Sequence, residues 1–543
     1  MGSAPFNTGS NSIAGDKATP RAFRSAGNLE LWASCALLLL YLALMSGHLH
    51  SIDGLLVYNQ AKSLAFEQSF QFGEPLWPGS TSMTSKYGLG LSLLYVPGLL
   101  VFSWLRAYAP VPTVPFDPVL FYTDTLYTVA LAPLHAVVIA STAYLVALLC
   151  REMDMSRAAS LWGLALYGLG SPAIIYSKGD WNQPLEGLCW MAALYAAVRF
   201  RRTGSLATLL GLGAAVCYAF LTRPVEGTLV FLAVVVLLAP SLHLRQWHKG
   251  SLYGVAVVVG SYSVGMLITM LANWGRYGNP MNFVGEYEGE GWTNPILVGL
   301  AGTLISPGRG ILWQFPAVLL LLFEWKRIRW GVHRKTALVL AGLVGVQVLN
   351  VSAWVIWWGG WNWGLRLFVP ALPLLAVLAA GSIDVLPRAR RHAPMILLLL
   401  GLLWSSPGVV TDMAAGYGAK FNSTNNFFLD AHPFIGAWTY LHHWFGDSLT
   451  DVHGIDILWF RLARQTDFLS LIVPILLTAT AAVLAVRIAR QYRSTQLITE
   501  AVGPQLNTEN RLTVAETLAE VNPSHTSPHW QGATRPDKAG HQQ

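Results

Sequence analysis

The chain has 543 residues, of which 53% are hydrophobic and only 12% are charged, and its mean hydropathy is +0.45. A water-soluble globule of this size needs more polar surface, so the composition excludes a soluble enzyme and predicts an all-α polytopic membrane protein. The formal net charge of +7 does not indicate nucleic acid, because the basic residues form short clusters between apolar runs. The four cysteines lie in or beside apolar runs at no spacing typical of metal ligands, so neither a disulfide framework nor a zinc site is expected.

The N-terminal segment, residues 1–28, is polar and carries Lys17, Arg21 and Arg24 ahead of the first apolar run. No clear small-residue cleavage site follows that run, which predicts an uncleaved signal anchor with a cytoplasmic N-terminus. A helix needs about 20 apolar residues to cross a bilayer. Twelve spans are predicted on this basis: 29–47, 126–149, 157–176, 185–199, 205–221, 226–241, 251–272, 311–323, 336–357, 367–384, 393–410 and 467–488.

The positions of the basic residues test this count. If the first span runs from inside to outside, nearly every basic cluster falls in a cytoplasmic loop, as the positive-inside rule requires. One span more or fewer would scatter the clusters over both faces. The sequence therefore predicts a cytoplasmic segment over 1–28, a transmembrane domain over 29–490 and a disordered cytoplasmic tail over 491–543.

One further segment, 86–106, is long and apolar enough to be a span. Counting it would place the basic clusters outside. It is therefore interpreted as a helix that lies in or dips into the outer leaflet and is interrupted at Pro97-Gly98. The outer loops are then unequal, and three of them are long: 48–125, 273–310 and 411–466.

The outer loops carry charges that topology does not explain. Singly, each has an ordinary interpretation, as an acid at a helix end facing water, a snorkelling lysine or a cation at a helix end. Together, they put several cations on the face where the positive-inside rule gives no reason for them. Arginine forks, a compact lysine charge and glycine-rich turns all suit a lipid phosphate. The residues concerned are Asp53, Lys86, Arg223, Arg309 and Arg366.

Short motifs in these loops resemble those of bacterial GT-C glycosyltransferases, in particular the family 39-like group related to protein O-mannosyltransferases and aminoarabinose transferases. The resemblance covers about residues 30–385. The motifs are Asp53 at the start of the first outer loop, Ser85-Lys86-Tyr87-Gly88-Leu89-Gly90, Tyr176-Ser177-Lys178, Thr222-Arg223-Pro224, Ser306-Pro307-Gly308-Arg309-Gly310 and Trp358-Gly359-Gly360-Trp361-Asn362-Trp363-Gly364-Leu365-Arg366.

The resemblance implies a GT-C-like fold with about twelve transmembrane helices and an enzyme in the bacterial cytoplasmic membrane. Such an enzyme transfers a sugar from a polyprenyl-phosphate donor to an acceptor hydroxyl on the extracytoplasmic face, and the acceptor is a glycan, a lipid or a protein. It implies that Asp53 is the catalytic base and that Lys86 contacts the donor phosphate, with Arg223, Arg309 and Arg366 as further cations. A single displacement would invert the anomeric centre.

Further side chains are candidates for sugar or acceptor contacts. Interfacial belt or packing roles are favoured for the tryptophans among them, and a solvated acidic loop is favoured for Glu286. The candidates are Tyr58, Tyr87, Lys178, Asp180, Glu286, Trp358, Trp361 and Trp363.

The chain departs from the family pattern at two points. Many relatives have an acid before the proline of the second outer loop, whereas this chain has Asp180-Trp181-Asn182-Gln183-Pro184. Either Asp180 or Glu186 substitutes for that acid, or the contact is absent. The Asp53-Gly54 pair lacks a second carboxylate, so no metal site and no cofactor other than the lipid-linked donor is expected.

Two other functions remain open at this point: a transporter or flippase for lipid-linked sugars, and a catalytically inactive GT-C relative that binds glycolipids. A transporter typically has charged or broken spans at the bilayer midplane. The spans here are nearly free of charge, which favours an interfacial enzyme.

Overall fold

The structure is a computed structural model that describes residues 28–73, 83–108, 125–239, 249–283, 291–328, 330–360, 362–411, 426–432, 435, 455–465 and 468–494. These residues form helices and connecting turns and no strand. The chain divides into two compact units, Asn28–Ala485 and a second made of Met1–Gly27 with Val486–Gln543. The site described below lies entirely in the first unit.

The helices follow one another in chain order as α1 (Leu29–Leu44), α2 (Ile52–Lys62), α3 (Leu89–Tyr108), α4 (Thr125–Ala130), α5 (Ala132–Glu152), α6 (Arg157–Gly168), α7 (Ala173–Tyr176), α8 (Asn182–Thr203), α9 (Leu206–Thr222), α10 (Pro224–Leu238), α11 (Lys249–Tyr277), α12 (Ile296–Ile305), α13 (Ile311–Gln314), α14 (Val318–Glu324), α15 (Arg334–Ala353), α16 (Leu372–Ile383), α17 (Ala393–Val410), α18 (Leu458–Gln465) and α19 (Leu469–Ser494).

The expectation of an all-α membrane protein is confirmed. Among the described residues, seven helical stretches are long and apolar enough to cross a bilayer: Leu89–Ala107, Tyr127–Glu152, Gly250–Tyr277, Gly331–Ala353, Arg366–Ile383, Arg388–Val410 and Leu469–Ser494. Four shorter apolar helices accompany them: α1, α9, α10 and α12. The count of twelve spans stays a prediction.

Helix α3 corrects one expectation. The interruption predicted at Pro97-Gly98 is wrong, because α3 runs unbroken through Pro97. Proline removes one backbone hydrogen bond, and an apolar helix tolerates that loss when it is packed against neighbours. Gly98 supplies such packing, since a Cβ there would lie 3.2 Å from the carbonyl oxygen of Ala130.

The contacts of α3 favour a helix that lies along one face of the bundle. The Tyr218 hydroxyl, in the last turns of α9, donates to the carbonyl of Gly90 at 2.7 Å. The Tyr95 hydroxyl lies 2.7 Å from Nε2 of His135, which is in the first turn of α5. The C-terminal end of α9 and the N-terminal end of α5 belong to the same predicted outer face.

The region 296–324 also differs from expectation. Helix α12 lies within the predicted outer loop 273–310, where its ten residues are too few to be recognised as a span. The predicted span 311–323 is broken between α13 and α14 at residues 315–317. Pro316 explains the break, because proline disfavours helical backbone at the residue before it.

Small residues allow the helices of the core to approach closely. Helix α16 is buried from Leu372 to Ser382. A Cβ at Gly163 of α6 would lie 3.1 Å from the Cβ of Ala380, and one at Gly401 of α17 would lie 2.2 Å from the Gly170 carbonyl oxygen. Close backbone approach of this kind stabilises helix pairs in a bilayer.

Candidate functional site

Asp53 lies in the first turn of α2, just after the first predicted span. Ser51 caps this helix, because its Oγ accepts a hydrogen bond from the Gly54 amide at 2.9 Å. A carboxylate near a helix N-terminus interacts favourably with the helix dipole. The local sequence therefore fixes both the start of α2 and the position of Asp53.

Asp180 supports the same helix from behind. Its Oδ2 accepts from the backbone amides of His50 at 2.9 Å and Ser51 at 3.3 Å. A Cβ at Gly54 would lie 1.7 Å from that oxygen, which explains why glycine follows Asp53. Burial, together with the charge of nearby Asp53, raises the pKa of Asp180 to about 7 although backbone hydrogen bonds oppose the rise.

Arg366 is the ion-pair partner of Asp53. Its Nη1 donates to Asp53 Oδ2 at 2.6 Å, and both side chains remain partly exposed, at 15% and 26% respectively. The loop that ends at Arg366 includes Gly359 and Gly360, whose φ angles of +81° and +79° favour glycine at both positions. Burial raises the pKa of Asp53, but Arg366, the Tyr87 hydroxyl and Lys86 outweigh it and hold the pKa below its usual value.

Lys86 and Tyr87 lie in the turn that precedes α3, and the end of α11 holds that turn. Arg276 Nη1 donates to the Tyr87 carbonyl at 2.9 Å, and the Tyr277 hydroxyl donates to the Ser85 carbonyl at 3.0 Å. These contacts bring the first outer loop and the outer end of α11 together.

A cavity of about 340 Å3 opens where these elements meet. Its lining includes Asp53 and three of the predicted phosphate ligands, Lys86, Arg223 and Arg366. Tyr87 also lines it, as do further residues: Asn182, Gln183, Glu226, Thr269, Asn273, Arg276, Trp292 and Trp354.

The charges of the cavity wall are unequal. Among the described residues, four cations line it, namely Lys86, Arg223, Arg276 and Arg366, against the two carboxylates Asp53 and Glu226. Arg223 Nη2 lies 3.0 Å from Glu226 Oε1, so each carboxylate already has an arginine partner. The excess of positive charge makes the cavity suitable for an anion.

Arg276 is the one cation of the described lining that was not among the predicted phosphate ligands. It is only 8% exposed, and its Nε and Nη2 have no hydrogen-bond partner among the described residues. These two nitrogens form one edge of the guanidinium, the arrangement that binds a phosphate or carboxylate through two parallel hydrogen bonds. The predicted span 251–272 ended just before Arg276, and the pair Asn273 and Arg276, three residues apart at the end of an apolar helix, was the available signal.

Arg309 does not line the cavity. It is fully buried, and its Nη1 donates to the carbonyls of Asn362 at 2.6 Å and Gly364 at 2.7 Å. Further bonds join its Nη2 to the Gly360 carbonyl and its Nε to Asn426 Oδ1. Arg309 therefore holds the loop that presents Arg366.

Lys178 likewise lies in a separate buried cluster. Its Nζ lies 2.9 Å from Asp456 Oδ2 and also donates to the Val409 and Thr411 carbonyls. His48 Nε2 lies 2.6 Å from Asp456 Oδ1. The ligand atoms of His48, His50 and Asp456 lie within 4.8 Å of one another, but the lysine ammonium already provides a cation for that carboxylate.

The remaining candidates lie away from the cavity or outside the described residues. Tyr58 is buried against Tyr127, with ring centroids 5.6 Å apart. Trp363 is fully buried and Trp358 packs edge-on against Trp357. Glu186 is buried in α8 and accepts from Trp190. Glu286 and Trp361 fall outside the described residues.

No protein-family model matches this sequence. No curated protein matches it either. Comparison with solved structures finds similar chains, among them an aminoarabinose transferase and an oligosaccharyltransferase.

One of these is the aminoarabinose transferase ArnT from Cupriavidus metallidurans in its apo state, with a TM-score of 0.48 and 14% identity over 88% of this chain and 79% of ArnT. For ArnT bound to undecaprenyl phosphate, the TM-score is 0.46 and the identity 14%, over 90% of this chain and 80% of ArnT. A third structure is the oligosaccharyltransferase AglB from Archaeoglobus fulgidus in complex with an inhibitory peptide and a dolichol-phosphate. Its TM-score is 0.39 and its identity 12%, over 72% of this chain and 55% of AglB.

Proposed function

We propose that this chain is an integral membrane glycosyltransferase. It transfers a sugar from a polyprenyl-phosphate donor to an acceptor hydroxyl at the extracytoplasmic face of a bacterial cytoplasmic membrane. The observation that supports this most is that Asp53 and an excess of cations line one cavity. A lipid-linked sugar phosphate needs both, a base near the anomeric carbon and positive charge around the leaving phosphate.

Each part of the cavity has a role in this reaction. Arg276 and Lys86 bind the donor phosphate, and Arg223 adds to the positive field. The acceptor oxygen attacks the anomeric carbon as the bond from that carbon to the phosphate oxygen breaks. The electron pair of that bond leaves with the polyprenyl phosphate, and the acceptor proton passes to Asp53. A single displacement of this kind inverts the anomeric centre.

The low pKa of Asp53 sets how it acts. It keeps the carboxylate ionised at neutral pH, so the group is ready to accept a proton. It also makes the carboxylate a weak base, which suits a reaction in which a good leaving group departs early and the proton transfers late. Arg366 holds the carboxylate in place while adding charge beside the leaving group.

The proposal is tested with the purified full-length chain in lipid nanodiscs. The protein is incubated with a panel of undecaprenyl-phosphate sugars and a cell-envelope extract as the source of acceptors, and release of undecaprenyl phosphate is followed by mass spectrometry. We expect wild type to consume at least one donor. Asp53→Asn should lower turnover by about 10²- to 10⁴-fold, the usual contribution of a general base, while still binding undecaprenyl phosphate.

Asp154→Asn is the matched control. Asp154 is exposed, lies just after α5, does not line the cavity and has a φ of +56°, which asparagine adopts readily. Its substitution should leave turnover unchanged. Near-normal turnover by Asp53→Asn would refute the assignment of the base, and a wild-type protein that neither binds nor consumes any donor of the panel would refute the proposed function.

A further inference from the structure

Three amide side chains in the cavity wall have polar atoms without a partner. No hydrogen bond to a described residue is made by Asn182 Oδ1 and Gln183 Oε1, at the start of α8, or by Asn273 Nδ2, in α11. The side chains are 6%, 6% and 3% exposed, so bulk water reaches them poorly. Buried amides with unused hydrogen-bonding atoms are rare in native proteins, which indicates that a ligand completes them.

The chemistry of these amides identifies the kind of ligand. Each amide offers a carbonyl acceptor and two N–H donors, whichever way it is oriented. A phosphate accepts hydrogen bonds but does not donate them when fully ionised, so it cannot satisfy the two amide oxygens. Hydroxyl groups both donate and accept, and a sugar ring presents several of them at fixed angles.

We propose that Asn182, Gln183 and Asn273 bind the hydroxyls of the donor sugar and that this sugar is a neutral monosaccharide. The inference rests on the proposed function and names its substrate class. The sugar is joined to the phosphate through its anomeric oxygen, so it must occupy the same cavity as the phosphate-binding cations and Asp53.

The charges of the wall explain why the sugar is neutral. Among the described lining residues, the two carboxylates are Asp53 and Glu226, and arginines pair with them at 2.6 Å and 3.0 Å. Neither carboxylate is left to pair with the ammonium of an amino sugar.

The volume of the cavity suits one sugar ring beside the phosphate. A volume of about 340 Å3 is at the small end of ligand pockets, and the phosphate takes part of it. The indoles of Trp292 and Trp354 line one side, with ring centroids 5.2 Å apart at an angle of 77°. They offer aromatic surface to the apolar face of a pyranose.

The test compares lipids with and without a sugar. Affinities for undecaprenyl phosphate, undecaprenyl phosphate glucose and undecaprenyl phosphate aminoarabinose are measured for wild type, Gln183→Met and Asn273→Leu in nanodiscs. We expect wild type to prefer the glucose lipid to the aminoarabinose lipid at least tenfold. Each variant should lose about tenfold in affinity for the glucose lipid, the usual effect of removing one or two hydrogen bonds, and stay within twofold of wild type for undecaprenyl phosphate.

Controls separate the possible failures. Gln183→Met preserves the length of the side chain and Asn273→Leu its approximate shape, and thermal unfolding checks that both variants fold. Gln71→Ala removes an exposed amide from the same outer loop as Asp53 and should change neither affinity. Equal losses for the lipids with and without sugar, an effect only on the KM of the acceptor, or a preference for the aminoarabinose lipid would each overturn the inference. A wild type that consumes donors while showing any of these results would leave the proposed function standing.

Discussion

Replacing Arg309 separates the two roles that its position allows, a ligand for the donor phosphate and a clamp for the loop that presents Arg366. Arg309→Met removes the donors of three backbone carbonyls, those of Gly360, Asn362 and Gly364. The Gly360 carbonyl keeps a second donor, Asn362 Nδ2 at 2.9 Å, so two buried acceptors are left unsatisfied. At about 1 kcal/mol for each of them, we expect a loss of about 2 kcal/mol in the free energy of unfolding. Turnover should fall with stability, because Arg366 would no longer be held against Asp53.

The measurement is unfolding of the purified protein in detergent, followed by tryptophan fluorescence, beside its affinity for undecaprenyl phosphate. Arg309→Lys should recover part of the stability, because an ammonium donates to some of the same carbonyls but lacks the fork. Arg199→Met is the control, since its partly exposed pair with Glu152 should contribute less than about 1 kcal/mol. An Arg309→Met variant that is as stable as wild type but has lost affinity for undecaprenyl phosphate would refute the clamp.

Three further predictions concern the surroundings of Asp53. The pKa of Asp180 is raised to about 7, so the carboxyl group should stabilise the fold fully below about pH 4, and this stabilisation should be lost as the pH rises to 7. Asp180→Asn should remove this pH dependence from the free energy of unfolding measured between pH 4 and 8. Gly54→Ala should reduce turnover, because the new methyl group would occupy the space of the Asp180 carboxylate. A double-mutant cycle with Asp180→Ala should therefore show strong coupling, and additive effects of the two substitutions would contradict this. Arg276→Gln should weaken binding of undecaprenyl phosphate by about 10- to 100-fold, as expected for a charged hydrogen-bonding group. Thermal unfolding separates this effect from the loss of the bond to the Tyr87 carbonyl.

The topology of the chain is open to a direct test as well. In a variant without the native cysteines, a cysteine at Gln71 should react with an impermeant thiol reagent from outside the cell. One at Thr203 should react only after the membrane is opened. The reverse pattern would overturn the predicted orientation.

Much of the helical framework could be predicted from the sequence, because the length of an apolar run and the position of basic clusters are direct consequences of the bilayer. The failures have local causes. Pro316 breaks the helix within an apolar run whose hydropathy stays high, so the sequence does not reveal the break. Pro97 lies in an apolar run that stays helical because it is packed against its neighbours. Helix α12 is apolar but too short to be recognised by length alone.

The site was less predictable, because its residues meet only after folding. Asp53 and Arg366 are separated by 313 positions, and no spacing rule in a single sequence connects them. Residue type did identify four of the cavity's charges, Asp53, Lys86, Arg223 and Arg366. Residue type could not distinguish Arg309 from the arginines of the cavity. An arginine that donates to backbone carbonyls and one that faces a ligand have the same guanidinium group and look alike in a sequence.

Asp53, in the first turn of α2, and Asp180, which packs against the start of that helix, have roles that the structure distinguishes and the sequence does not. By sequence, Asp53 and Asp180 are both acids in outer loops, and either could be a base. Asp53 faces cations across an open cavity, so its pKa is lowered and it is ionised where an acceptor can reach it. Asp180 is fully buried against the backbone of His50 and Ser51, so its pKa is raised and no acceptor can approach it. Because opposite environments of two neighbouring carboxyl groups commonly divide their roles, Asp53 is assigned to the chemistry and Asp180 to the support of its helix.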